Sequence, residues 1–360
     1  MEEDNPLRQG VVSTRKRRTF VLKVALAFTI LLMLVLHLSL KEEPTLKDAN
    51  NAEYFQFHSL SKKQLAEAEE AYKAQKEAIM RDKNYDKVEL VRLKNSDPLP
   101  ARIFPGKNAH EICGYKDNGC IRPFANIRPL IVTAPNHRLM SCVVQKSMSS
   151  VMLATMCYLL RGEAFVKAGR SLLLDLGAFG FCENLNNFWS TKDMLLKLNI
   201  NDPHDMRFTM VTRDPVDRFL SGFIDRCLRA EQYVTADIRE SRKPELTMED
   251  MHIFPQNWRC ELKEYYNNYD FIRYSSDPSG TLLDDLSRIL KEQNVSSSAI
   301  SYISASLSAG RTSHSTITTK SRMFLEQRLR SSPYLMEQIV RLFYHDYVLL
   351  HYPLPDLNSL

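Results

Sequence analysis

The sequence predicts an α/β fold: a parallel sheet of few strands, flanked by helices and closed by a helical C-terminal end. Two strand–turn–helix segments and a helical tail carry that expectation. The segments are SCVVQKSMSSVMLATMCYLL, residues 141 to 160, and MRFTMVTRDPVDRFLSGF, residues 206 to 223. The tail is LRSSPYLMEQIVRLFYHDYVLLHYPLP.

In the second segment, Phe208 to Thr212 read as a short buried strand. Pro215 suits the first turn of a helix, where its missing N–H costs nothing. Val216, Phe219, Leu220 and Phe223 then recur at helical spacing. Arg213 therefore lies at the C-terminal end of a strand, where open α/β sheets bind ligands. Ser221 lies about two turns into the next helix. A guanidinium and a hydroxyl converging there suit a phosphate. The alternative is an Arg213 paired with Asp214 or Asp217 and a Ser221 facing solvent.

In the first segment Val143 and Val144 belong to the strand and Lys146 to Ser150 form the turn. Val151, Ala154, Tyr158 and Leu159 share one helical face. The turn places one lysine and three serines at a helix N-terminus, where unpaired N–H groups and the helix dipole attract anions. A nucleotide-triphosphate P-loop needs glycines, and QKSMSS has none. Serines that merely cap the helix are the alternative.

Together and in this order, the two segments resemble the 3′-phosphoadenosine 5′-phosphosulfate sites of sulfotransferases. The likeness is nearest to the Golgi carbohydrate sulfotransferases, in the chondroitin 4-O-sulfotransferase branch and its nematode relatives. There a serine eight residues after the Arg-Asp-Pro arginine helps to hold the 3′-phosphate, the spacing of Arg213 and Ser221. The family's first loop usually reads P-K-x-A-C-T/S-x-W. Lys146 and Ser150 match it; Gln145, Met148, Ser149 and Met152 depart from it. Trp258, Cys260, Tyr269, Asp270, Phe271 and Ile272 resemble the W…C…YDFI segment. Ser315, Thr316, Thr318 and Thr319 resemble a K-S-T-R-T-T loop, with Ile317 in place of its arginine. The tail resembles the final helix with its Y-x-x-D-[FY] signature. The likeness spans roughly residues 105 to 357.

The resemblance implies a P-loop-like sulfotransferase fold with 3′-phosphoadenosine 5′-phosphosulfate as co-substrate and no metal. The acceptor is expected to be a glycan or proteoglycan, a chondroitin-like chain at the 4-hydroxyl of N-acetylgalactosamine. Lys146 is expected to stabilise charge on the bridging oxygen. Ser147, Ser149, Ser150 and backbone N–H groups would hold the 5′-phosphate, and Arg213 and Ser221 the 3′-phosphate. Thr316 joins the donor-binding set. His314, heading the Ser/Thr loop, is the first choice for the base that takes the acceptor proton. The family has a lysine at that place, and His204, His252 and Glu183 remain open.

Residues 20 to 40 are almost wholly apolar, and a bilayer core needs about 20 such residues. Arg15 to Arg18 precede this stretch and Lys41, Glu42 and Glu43 follow it. The positive-inside rule then predicts a cytosolic tail (1–18), a signal-anchor helix (19–40) and a lumenal remainder. Pro98, Pro100 and Pro105 divide that remainder into a partly helical stem (41–104) and a domain (105–360), and the resemblance implies the Golgi. A cleaved signal peptide is the alternative, but the apolar region is long and its end lacks small residues. The stem's Ala-, Glu- and Lys-rich residues 60 to 83 suit a solvated helix. Its sparse apolar positions would allow a homodimer through the stem.

Seven cysteines, all beyond the apolar stretch, suit an oxidising lumen. The odd count leaves at least one outside intramolecular pairs, and Cys113 and Cys120 could close a small loop. No C-x-x-C or H-x-x-x-H pattern points to zinc. Asn294-Val295-Ser296 is the one glycosylation sequon. A net charge of +5 without a basic, aromatic-interleaved stripe does not point to nucleic acid. Arg161, Lys167, Arg170, Lys192 and Lys197 are candidates for an acceptor groove or for plain solvated surface. Two rival functions stay open: a non-catalytic, glycan-binding membrane protein of the same fold, and a Golgi glycosyltransferase, although no Asp-x-Asp metal motif is present.

Overall fold

The computed structural model describes residues 99–360 apart from 115–118, 126, 128, 174, 176–180, 183–184, 229–247, 275–280, 310–314, 318 and 360. All of these belong to one compact unit, Leu60–Leu360. The expected cytosolic tail, membrane span and stem to residue 98 lie outside the described residues, as do Glu183, His314 and Thr318. Among the described residues no helix is long and apolar enough to cross a membrane.

The elements in chain order are α1 (Ala109–Cys113), β1 (Ile131–Ala134), β2 (Leu139–Cys142), α2 (Ser149–Lys167), β3 (Asn187–Phe188) and α3 (Thr191–Lys197). There follow β4 (Arg207–Arg213), α4 (Pro215–Phe223), α5 (Met248–Ile253), α6 (Leu262–Tyr265) and β5 (Tyr269–Tyr274). The last four are α7 (Thr281–Glu292), α8 (Ser297–Ala309), α9 (Lys320–Arg330) and α10 (Pro333–Leu349).

The strands form one sheet in the order β3-β1-β2-β4-β5. β2, β4 and β5 are parallel. β1 runs antiparallel to both β2 and β3. The sheet is therefore mixed, which corrects the all-parallel expectation. The reason is local. Only Pro135 to Arg138 separate β1 from β2, and so short a link can only fold the chain back, whereas a parallel pair needs a crossover of a dozen or more residues. Arg138 closes the turn with a left-handed φ of 46°. β2 also ends sooner than expected. Val143 and Val144 are buried but lie past the strand, and the Val143 N–H bonds to the Leu130 carbonyl at 2.8 Å.

Side chains alternate across the sheet with the two-residue period of a strand. Val132, Ala134, Leu139, Val211 and Ile272 pack with α2, α7 and α8 on one face. Ile131, Met140, Phe208, Met210 and Tyr269 pack on the other, with α3 and α6. The sheet is thus covered on both faces, as parallel strands require. α10 buries Met336, Ile339, Val340 and Phe343 against α1, α4 and α9.

Three disulfides join Cys113 to Cys120, Cys142 to Cys260 and Cys157 to Cys182. The first is the small loop that the spacing allowed. The second ties the end of β2 to the chain before α6, and the third ties α2 to the loop that follows it. The seventh cysteine, Cys227, sits in a π-helical turn, Ile224–Leu228, which continues α4. Asn294 is exposed in the turn between α7 and α8.

Candidate active site

β2 and β4 are parallel neighbours, with Cys142 opposite Met210. Their C-terminal ends therefore open on the same edge of the sheet. β2 leads into the turn Gln145 to Met148 and then α2; β4 leads through Arg213 and Asp214 into α4. The two segments singled out in the sequence meet there. The Arg213 Nη1 donates to the Lys146 carbonyl at 3.0 Å.

The turn is tightly shaped. Lys146 and Met148 adopt left-handed φ values of 67° and 59°, a conformation unfavourable for residues with a Cβ. Met148 is the N-cap of α2 and makes no side-chain cap hydrogen bond. The serines therefore do not cap this helix, and its first-turn N–H groups remain open to an anion. Ser149 and Ser150 are half-buried beside them. Ser147 is different: it is 1% exposed and its Oγ donates to Gln256 Oε1 at 3.2 Å. Ser147 thus holds the turn in place.

Gln256 is a clamp that the sequence did not reveal. Its Oε1 also accepts from the Arg213 N–H at 2.9 Å, and its Nε2 donates to the Arg213 carbonyl at 2.7 Å. Asp346 of α10 supports the clamp. Its carboxylate accepts from the Gln256 N–H at 2.8 Å, the Asn257 N–H at 2.8 Å and Asn257 Nδ2 at 2.7 Å. Burial pushes the Asp346 carboxyl up, and Arg218 and these three donors pull it back down.

Among the described residues the two acids neighbouring Arg213 have other partners. Asp214 caps α4, accepting from the Asp217 N–H at 3.0 Å. Asp217 pairs with Arg322 of α9. The Arg213 guanidinium lies 5.0 Å from the centre of the Tyr274 ring, within cation–π range. Ser221 is buried on α4. The next residue must be glycine, because a Cβ on Gly222 would sit 2.6 Å from the His252 carbonyl of α5.

The Lys146 ammonium contacts the Asp225 carboxylate of the π-helical turn, and both side chains are nearly buried. Burial pushes the Lys146 ammonium below its usual range; Asp225 beside it raises it, and Arg226 and Arg213 lower it again. Behind the turn, the wholly buried Arg218 donates through Nε to the Gln145 carbonyl at 3.0 Å. Burial pushes its guanidinium down to about 10, with Asp346 opposing and Arg259 and Arg213 adding to the fall. Arg259 is 1% exposed, and its guanidinium nitrogens have no hydrogen-bond partner among the described residues. Burial takes it, too, down to about 10. Lys146, Arg213, Arg218, Arg226 and Arg259 thus form a chain of cations, with Asp225 beside Lys146 and Asp346 beside Arg218. Buried charge of one sign calls for a counter-charge. A polyanionic ligand with phosphate groups fits this site.

Other sequence candidates lie elsewhere. His204 is exposed just before β4, and the seven residues of that strand separate it from Arg213 by roughly 20 Å. His252 Nε2 lies 3.1 Å from Arg226 Nη2. Thr316 is buried, and its carbonyl accepts from Thr319, the cap of α9. Arg161 lies on α2 roughly 18 Å along the helix from the turn, where its backbone leaves helical geometry, and Lys167 lies past that kink. Arg161 and Arg170 flank Phe181 at 5.0 and 5.7 Å, and Lys192 and Lys197 are on α3. No bond or ion pair among the described residues joins these basic side chains to Lys146. The described residues include no group of three His, Cys, Asp or Glu side chains placed to hold a metal ion.

Comparison with known proteins agrees with this architecture. No solved structure matches the chain. An uncharacterised Caenorhabditis elegans protein is 37% identical over 294 residues, covering 76% of this chain and 82% of the relative. A second protein from that organism, vep-2, carries a provisional sulfotransferase name; it is 34% identical over 278 residues, 69% of this chain and 85% of the relative. The carbohydrate sulfotransferase chst-1, again from Caenorhabditis elegans, is 26% identical over 267 residues, 66% of this chain and 80% of the relative. Residues 129–353, from just before β1 to just past α10, match the sulfotransferase family, and the chain belongs to that family.

Proposed function

We propose that the protein transfers a sulfuryl group from 3′-phosphoadenosine 5′-phosphosulfate to a hydroxyl of a glycan, with a chondroitin-like chain as the acceptor. The observation that carries this reading is the Arg213–Lys146 contact. It brings a strand-end arginine and an uncapped helix N-terminus to one sheet edge, among buried cations. The donor supplies the activated sulfuryl group. The open N–H groups of α2, with Ser149 and Ser150, hold its 5′-phosphate. Arg213 and Ser221 hold the 3′-phosphate and so fix the donor's register. Lys146 presents positive charge where the leaving oxygen develops its own charge. The relative named as a carbohydrate sulfotransferase supports a sugar acceptor.

Replacing Arg213 by alanine tests the donor assignment. A charge-assisted phosphate contact is worth about 1.5–3 kcal/mol, or roughly 10–150-fold in affinity. Binding of adenosine 3′,5′-bisphosphate to the full-length protein, followed by calorimetry, should weaken by that factor. Binding of adenosine 5′-monophosphate should barely change. Equal weakening of both would mean that Arg213 does not read the 3′-phosphate.

We further propose a Golgi location with the domain in the lumen, supported by the apolar residues 20 to 40, their basic N-terminal flank and the three disulfides. Protease added to intact microsomes should spare the domain until detergent is present. Digestion without detergent would contradict the placement.

A further inference from the structure

The helix that carries Ser221 continues past Phe223 as a π-helical turn, Ile224–Leu228. Such turns often mark functional sites. Arg218, Ser221 and Asp225 follow the i, i+3, i+7 spacing of a single helical stripe. That stripe meets the turn after β2 at two successive residues. Arg218 Nε bonds to the Gln145 carbonyl, and Asp225 Oδ2 contacts Lys146 Nζ. The side chains of Lys146 and Asp225 are only 10% and 12% exposed. Asp225 Oδ2 also lies 3.2 Å from Arg226 Nε.

The charged groups around Lys146 come from two elements. Asp225 and Arg226 face it from the π-helical turn, and Arg213 faces it from the end of β4. Arg226 in turn meets His252 of α5. In this set Asp225 is the carboxylate in contact with the lysine. Stripped of it, Lys146 would be a nearly buried ammonium between two guanidinium groups, where deprotonation is the cheapest relief.

We propose that Asp225 positions Lys146: in the donor-free protein its carboxylate holds the ammonium charged and in place at the turn, and the anionic donor takes the lysine over on binding. The inference rests on the turn being the donor site. Asp225 acts through Lys146, and the carboxylate and the donor compete for one ammonium.

The test is Asp225→Asn in the full-length protein, with Asp225→Glu as the charge-retaining variant. Acylation of Lys146 by an amine-reactive reagent, read by peptide mass spectrometry across pH, reports its protonation without donor or activity. An opposite charge at this range shifts a pKa by about 1–3 units. The Lys146 labelling midpoint should therefore fall by at least about one pH unit in Asp225→Asn, roughly tenfold more labelling at a fixed pH below it. Asp225→Glu should restore the wild-type midpoint. Exposed Lys192 in the same digest should label identically in all three proteins, which excludes unfolding. At a pH where Lys146 is charged in both proteins, adenosine 3′,5′-bisphosphate should bind Asp225→Asn about 3–10-fold more tightly, as a competing carboxylate has gone.

In single-turnover sulfate transfer, the alkaline limb of the Asp225→Asn profile should move to lower pH. An unchanged labelling midpoint, or weaker bisphosphate binding, overturns the proposal. So does loss of transfer at every pH together with loss of the acid limb, since that would make Asp225 the base. Failure of the wild-type protein to bind the bisphosphate would instead count against the donor site itself.

Discussion

Lys146→Ala is expected to lower the single-turnover rate of sulfate transfer by about 10²–10³, the scale of losing one electrostatic donor to a developing oxyanion. The ammonium can act in this way because the turn leaves it nearly buried, where charge is poorly screened by water. Its effect should be larger in the transition state than in the ground state. Donor affinity should accordingly fall less than the rate, since Arg213 and the open N–H groups of α2 remain. Lys146→Arg keeps the charge but moves it onto a broad planar fork, so it should rescue poorly. A Lys146→Ala protein that transfers sulfate at nearly the wild-type rate would remove the turn from the catalytic machinery.

The second large effect is expected at Asp346, which touches no ligand in this scheme. Its carboxylate accepts three hydrogen bonds from Gln256 and Asn257 and opposes the buried charge of Arg218. Asp346→Ala orphans those donors and leaves Arg218 without that counter-charge. Removing one partner of a buried pair costs about 3–5 kcal/mol. At about 2–4 °C per kcal/mol for a domain of this size, the thermal midpoint should drop by roughly 6–20 °C. Bisphosphate binding should weaken too, because Gln256 clamps both Arg213 and Ser147. A variant with wild-type thermal stability would show that the clamp stands without Asp346.

How much of this was legible in the sequence depended on range. Pro215 and the apolar repeat after it fixed α4 and put Arg213 at a strand end without any tertiary information. The turn around Lys146 was legible for the same local reason. The hairpin of β1 and β2 left a turn signal at Pro135-Asn136 between apolar runs, but a strand entering a helix, as at the Lys146 turn, by itself suggests parallel neighbours. β3, at two residues, is too short for any periodicity. Gln256 was hidden because its partners, Arg213 and Ser147, are 43 and 109 positions away. Asp346 did leave a trace: a lone acid amid FYHDYVLL is an oddity on a buried helix, and it proves to be the anchor of the clamp. Asp225 had no local signal, since a carboxylate just past an amphipathic helix ordinarily faces water.

The most direct test is transfer itself. Full-length protein, solubilised and incubated with ³⁵S-labelled 3′-phosphoadenosine 5′-phosphosulfate and a panel of glycans including unsulfated chondroitin, should place label on the sugar chain, and Lys146→Ala should place far less. Donor bound tightly by the wild type with label on no glycan in the panel would contradict the enzymatic reading and leave a sulfotransferase fold that binds without reacting.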